Sequence, residues 1–196
     1  MILKTELLNA YNETVLRESL ADSLGAVFCP KSAELLTKRI LRIRNEKGRM
    51  QSMLGWILAS GALKEAGAGE GRSIFLDEHG KPELVPKAGE STLYFSITHS
   101  GHFAAAAASL RPIGIDCEQI SVRTVSPGLS KEFGISDKPA FLRNWCAREA
   151  YLKMTGEGIG GIKNVTVDME KRQVSGLPYR EIEDVPKDYV LIVVEG

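Results

Sequence analysis

Ile113-Gly114-Ile115-Asp116-Cys117-Glu118 is the stretch from which the rest of the chain can be read. Its alternation predicts a strand, with Ile113, Ile115 and Cys117 on one face and Gly114, Asp116 and Glu118 on the other. Two carboxylates two positions apart on one strand face repel each other unless a cation lies between them. A glycine beside them leaves room for a ligand to approach the backbone. A strand end open to water would tolerate the same pair, so a second segment has to decide between the two readings.

That segment lies downstream. Ser136 or Asp137 caps a helix expected over 138–155, Pro139 sits in its first turn, and Gly156 ends it. At about 100° per residue from Phe141, Leu152, Trp145, Leu142 and Cys146 form an apolar arc reaching roughly 140°. Glu149 and Lys153 fall inside that arc. They could pair across one turn, but placing two charges on a core face is costly and seldom serves stability alone. The better reading points Glu149 into the space occupied by Asp116 and Glu118. Three carboxylates with no His or Cys among them make a hard oxygen site, suited to Mg²⁺, which takes further ligands from substrate phosphates. Lys153 and Arg148 would contact those phosphates. So would the stretch 31–49, where seven Lys and Arg residues face only Glu34 and Glu46. A solvated helix face is the other reading of that basic run. An acid cluster, a cation and a basic rim together describe phosphoryl transfer.

Working outward, helices are expected over 12–24, closed by Gly25, and over 47–66, where Met50, Met53, Leu54, Ile57 and Leu58 recur at helical spacing. Leu93 to Ile97 reads as a strand broken at Thr98-His99-Ser100-Gly101. Phe103 to Leu110 follows as a strand despite its alanines, because it lies between strand-like runs. Further strands are expected from Ile162 to Met169 and from Tyr189 to Val194. Each half of the chain places one long amphipathic helix among short strands. The fold class expected is therefore α+β, in two similar halves, 1–108 and 109–196, with the metal site in the second.

Composition narrows the partners. The chain has 196 residues, 43% hydrophobic and 26% charged, which is enough apolar surface for a packed core. Lys+Arg 25 against Asp+Glu 25 leaves no net field to draw it onto nucleic acid or an anionic membrane. No apolar run approaches the roughly 20 residues of a membrane span, and Met1 to Ala10 lacks a signal-peptide core. Cys29, Cys117 and Cys146 show neither disulfide nor zinc-ribbon spacing. A cytoplasmic monomer is expected, with no nucleic-acid or membrane partner.

These residues resemble a family. Ile113 to Glu118, followed by Trp145-Cys146-Ala147-Arg148-Glu149-Ala150-Tyr151-Leu152-Lys153, is similar to the paired GxDxE and WxxKExxxK signature of 4′-phosphopantetheinyl transferases. Upstream, Gly80-Lys81-Pro82 and Phe95-Ser96-Ile97-Thr98-His99-Ser100 resemble the family's GKP and FNxSHS segments, and all four occur in the family's order. The likeness covers about residues 40–165 and points to the longer, single-chain type, a pseudo-dimer with its active site in the cleft between two halves. It implies transfer of the phosphopantetheine arm from coenzyme A to a serine of an apo acyl or peptidyl carrier protein, releasing adenosine 3′,5′-bisphosphate. On that resemblance Asp116, Glu118 and Glu149 would hold Mg²⁺ against the pyrophosphate, and Lys153 would stabilise its charge. His99, with Thr98 and Ser100, would contact substrate phosphate, and Lys81 would lie at the nucleotide end. Arg42, or a neighbour such as Arg39 or Arg49, would clamp a phosphate. Arg148 stands where the family usually has Lys, and Ser96 and Thr98 replace the commoner Asn and Ser.

Other readings are weaker. His99 and His102 lack a third metal ligand at suitable spacing, and no GxSxG elbow supports a serine hydrolase. The alternatives retained are a non-catalytic module binding coenzyme A or a carrier protein, and another Mg²⁺-dependent phosphotransferase.

Overall fold

The structure is a computed structural model that describes all 196 residues. Strand β1 (Ile2–Leu7) opens the chain, followed by helices α1 (Glu13–Gly25), α2 (Pro30–Leu41) and α3 (Glu46–Glu65). A small hairpin, β2 (Ile74–Leu76) and β3 (Pro82–Leu84), leads to β4 (Tyr94–Ser100), β5 (Phe103–Ser109) and β6 (Ile113–Gln119). Helices α4 (Pro127–Phe133) and α5 (Lys138–Thr155) precede β7 (Val167–Asp168), β8 (Gln173–Val174), β9 (Leu177–Glu181) and β10 (Tyr189–Glu195). Three antiparallel sheets result, ordered β1-β5-β4, β6-β10-β9-β8-β7 and β2-β3. The architecture is α+β.

Strand β5 explains its own composition. It is the central strand of the first sheet and is buried along its whole length. Ala104, Ala106 and Ala108 pack into the core built with α1, α2 and α3, including Met53, Leu54 and Trp56. Phe103, Ala105 and Ala107 face the other way, onto Ile113, Ile115, Cys117, Leu191 and Val193 of β6 and β10. Small side chains let layers approach on both faces, which outweighs the helix propensity of alanine. A third core joins α5 to β10 through Leu142, Cys146, Ala150, Val190, Ile192 and Val194.

The expected helix over 47–66 is α3, and that over 138–155 is α5, capped by the Asp137 side chain on Ala140 N at 2.9 Å and closed by Gly156 at φ 84°. Two expectations change. Strand β4 does not break at Thr98 but continues to Ser100, because Thr98 and Ser100 turn their hydroxyls toward β6. The tail strand expected from Ile162 shrinks to Val167–Asp168. The carbonyls of Ile162 and Val165 instead accept the buried Arg148 guanidinium.

Candidate active site

Gly114 sets the geometry of the site. A Cβ there would lie 1.8 Å from Ala150 O and 2.6 Å from Met154 N, so the glycine admits the backbone of α5. The room it leaves is therefore filled by the helix and not by a ligand, which corrects the sequence reading. Close approach of α5 to β6 carries Glu149 and Lys153 onto the Asp116 face of the strand. Lys153 Nζ donates to Asp116 Oδ1 at 2.6 Å. Asp116 is 4% exposed, and its Oδ2 is buried with no hydrogen-bond partner. Glu118 accepts from Ser100 Oγ through Oε2 at 2.8 Å, and its Oε1 lies 3.3 Å from Arg123 Nε.

A cavity of about 390 Å³ joins these groups. Asp116, Glu118, Glu149 and Lys153 line it from the second half of the chain, and Arg39, Trp56 and His99 from the first. A neighbouring cavity of about 270 Å³ shares Glu149 and Lys153 and adds Lys81 and His79 from the turn between β2 and β3. Asp77 Oδ1 holds that turn by accepting from His79 N and Lys81 N at 2.9 and 2.7 Å.

Electrostatics in the cavity are strained toward neutral carboxyls. Burial, then Asp116, pushes the Glu149 carboxyl up to about 7. Burial also raises Glu118, against the Ser100 hydroxyl and Arg123. Lys153 loses some basicity to burial, but Asp116 and Glu149 outweigh that loss and hold it above its ordinary value. Burial, then the Lys153 ammonium, holds the His99 imidazole below its ordinary range. Such a surplus of crowded carboxylates is what a bound cation relieves. The donor set suits a hard divalent ion, and Asp116 Oδ2 is buried without a hydrogen-bond partner. As the side chains stand, no three His, Cys, Asp or Glu residues form a ready-made metal cage.

Other expected residues lie elsewhere. Arg148 is 7% exposed and donates to Asn144 Oδ1 at 2.7 Å, to Ile162 O at 3.0 Å and to Val165 O, with its guanidinium over the Phe133 ring. The structure places it among backbone carbonyls, away from both cavities. Arg42 caps the end of α2 on the exposed surface, and Arg49 is held by Glu13 at 2.7 Å. Arg39 is the arginine of this run that lines the larger cavity, with its Nη1 on Gly80 O at 2.8 Å. Charge density alone could not select it. The register of α2 could have, since Arg39 flanks the buried Leu36 and Ile40 while Arg42 lies beyond the last turn. Thr98 and Ser100 each already donate to a carboxylate, so their protons are engaged within the protein. His79 and Arg123 were missed, because nothing in their local sequence marks them.

No family model matches the chain. Curated proteins do match it. The 4′-phosphopantetheinyl transferase HetI of Nostoc sp. is 28% identical over 167 residues, covering 76% of this chain and 67% of HetI. The 4′-phosphopantetheinyl transferase psf-1 of Bacillus pumilus is 26% identical over 157 residues, 72% of this chain and 66% of that protein. A Bacillus subtilis 4′-phosphopantetheinyl transferase is 30% identical over 102 residues, 45% of this chain and 43% of its own length. The match thus spans about two thirds of the first two relatives and under half of the third. No helix is long and apolar enough to cross a membrane.

Proposed function

We propose that this chain, which belongs to the 4′-phosphopantetheinyl transferase family, moves the phosphopantetheine arm of coenzyme A onto a serine of an apo acyl or peptidyl carrier protein. The observation that carries this reading is Asp116, with one oxygen on Lys153 and the other buried and unpartnered, beside Glu118 and Glu149 in one cavity. Asp116, Glu118 and Glu149 would hold Mg²⁺, which neutralises charge on the pyrophosphate when bound. The serine oxygen forms a bond to the phosphorus bearing pantetheine, and the bond from that phosphorus to the bridging oxygen breaks. Adenosine 3′,5′-bisphosphate leaves with the electron pair. Glu149, which lines the same cavity, would take the serine proton directly or through a water. Lys153 faces the leaving phosphate with a charge that Asp116 keeps in place. Arg39, Lys81 and His99 form the rim for the remaining phosphates.

In the same reading the halves 1–108 and 109–196 form a pseudo-dimer with coenzyme A between them. Lining of the larger cavity from both halves supports it. The test is intact-mass analysis of apo carrier proteins incubated with the protein, coenzyme A and Mg²⁺. A gain of one phosphopantetheine arm is expected. Coenzyme A binding with no mass gain on fatty-acid, polyketide or peptide-synthetase carriers would overturn the reading in favour of a binding module.

A further inference from the structure

Strands β4 and β6 share no backbone ladder, yet three hydroxyls stitch them together. Ser96 Oγ accepts from Ile115 N at 3.1 Å, Thr98 Oγ1 from Cys117 N at 3.0 Å, and Ser100 Oγ from Gln119 N at 3.1 Å. The partner is nineteen residues on each time, so the strands run side by side in one direction. A hydroxyl has a single proton to donate. Thr98 directs its proton at Asp116 Oδ1, 3.1 Å away, and Ser100 at Glu118 Oε2, 2.8 Å away. Cys117 Sγ, 3.5 Å from Thr98 Oγ1, is the poorer acceptor. Ser96 faces the position of Gly114, which offers no carboxylate.

We infer that Thr98 and Ser100 are positioning residues of the cation site: each is locked by a β6 amide and aims one carboxylate, while Ser96 only joins the strands. This inference rests on the proposed function, because it assigns the two hydroxyls to the carboxylates that would hold Mg²⁺. Its physical basis is that each hydroxyl is fixed at its oxygen before it donates. The carboxylate it holds loses rotational freedom, so its other oxygen is kept in one place. Thr98 leaves Asp116 Oδ2 without a hydrogen-bond partner, and Ser100 leaves Glu118 Oε1 to the half-exposed Arg123. Hydrogen bonds of this kind to ligating carboxylates govern metal affinity as well as activity.

The test is calorimetric titration of Mg²⁺ into protein saturated with coenzyme A, alongside melting temperatures and coenzyme A affinity in EDTA. Ser100→Ala and Thr98→Val are expected to weaken Mg²⁺ binding by roughly 10- to 100-fold. Ser100→Thr and Thr98→Ser are expected to restore it. Ser96→Ala removes an equivalent strand-joining bond, so it should lower the melting temperature while leaving Mg²⁺ affinity unchanged. Equal Mg²⁺ affinity in Ser96→Ala and Ser100→Ala would overturn the inference. Loss of coenzyme A affinity in EDTA for Ser100→Ala would also overturn it, by making the hydroxyl a phosphate contact. If the wild type transfers the arm and binds Mg²⁺ but Ser100→Ala matches it, the inference alone falls. A wild type that neither binds Mg²⁺ with coenzyme A nor transfers the arm would overturn the proposed function as well.

Discussion

Lys153 Nζ lies 2.6 Å from Asp116 Oδ1, across 37 residues of chain, and ties helix α5 to strand β6 at the centre of the cavity. Asp116 is almost fully buried, whereas the Lys153 side chain keeps 32% of its surface in solvent. Removal of the lysine therefore strands a buried carboxylate, while removal of the carboxylate leaves an ammonium that can turn to water.

Lys153→Met should accordingly destabilise the fold by about 1–3 kcal/mol in metal-free buffer, and Asp116→Asn by less. Urea unfolding of both variants and the double variant measures the coupling. Equal losses for the two single variants would mean that burial does not distinguish the partners. In transfer assays Asp116→Asn should lose activity by orders of magnitude with the fold intact.

Gly114→Ala is expected to be among the most damaging single changes. The added methyl meets backbone atoms of Ala150 and Met154, which cannot move without shifting α5. Overpacking of this kind costs about 1–3 kcal/mol or more. Displacement of α5 would also part Lys153 from Asp116. A Gly114→Ala protein with wild-type unfolding free energy would contradict the packing described.

The arginines of the basic stretch should separate. Arg39→Ala is expected to weaken coenzyme A binding by roughly tenfold to a hundredfold, one charge-assisted contact of about 1.5–3 kcal/mol. Arg42→Ala, on the outer surface, should leave it unchanged. Calorimetry with coenzyme A and dephospho-coenzyme A shows in addition whether Arg39 reads the 3′-phosphate. A loss confined to Arg42→Ala would reverse the assignment.

Arg148→Lys should lower stability without changing coenzyme A affinity. A lysine presents a point charge where a planar fork now reaches Asn144 and two carbonyls. Chemical denaturation and coenzyme A titration of the same variant check both halves of the statement. Weakened binding with full stability would return Arg148 to the phosphate site.

A pH effect is expected at the junction of α1 and α3. Glu13 accepts from Arg49 at 2.9 and 2.7 Å and from Arg17 at 2.9 and 2.6 Å, and these guanidiniums hold its carboxyl down at about 2. Because the folded value lies below the unfolded one, the stabilisation is complete above about pH 4.5 and fades as pH falls toward 2. The melting temperature of the wild type should exceed that of Glu13→Gln at pH 7, and the gap should narrow at pH 3. A gap of the same size at both values would assign the effect to shape and not to charge.

Residue spacing by itself determined the two long helices, the strand character of Ile113 to Glu118 and of the alanine run, and the motif order that carries the family resemblance. Each of these is a property of one element, set by its period, its caps and the face it must bury. Only the tertiary structure decided that Gly114 makes room for α5, that Arg148 serves carbonyls, that Arg39 and not Arg42 lines the cavity, and that Thr98 and Ser100 donate to Asp116 and Glu118. Those relationships join segments 14 to 37 residues apart or more. They depend on the register between neighbouring elements, and a one-residue slip would leave every local pattern intact while giving each side chain a different partner.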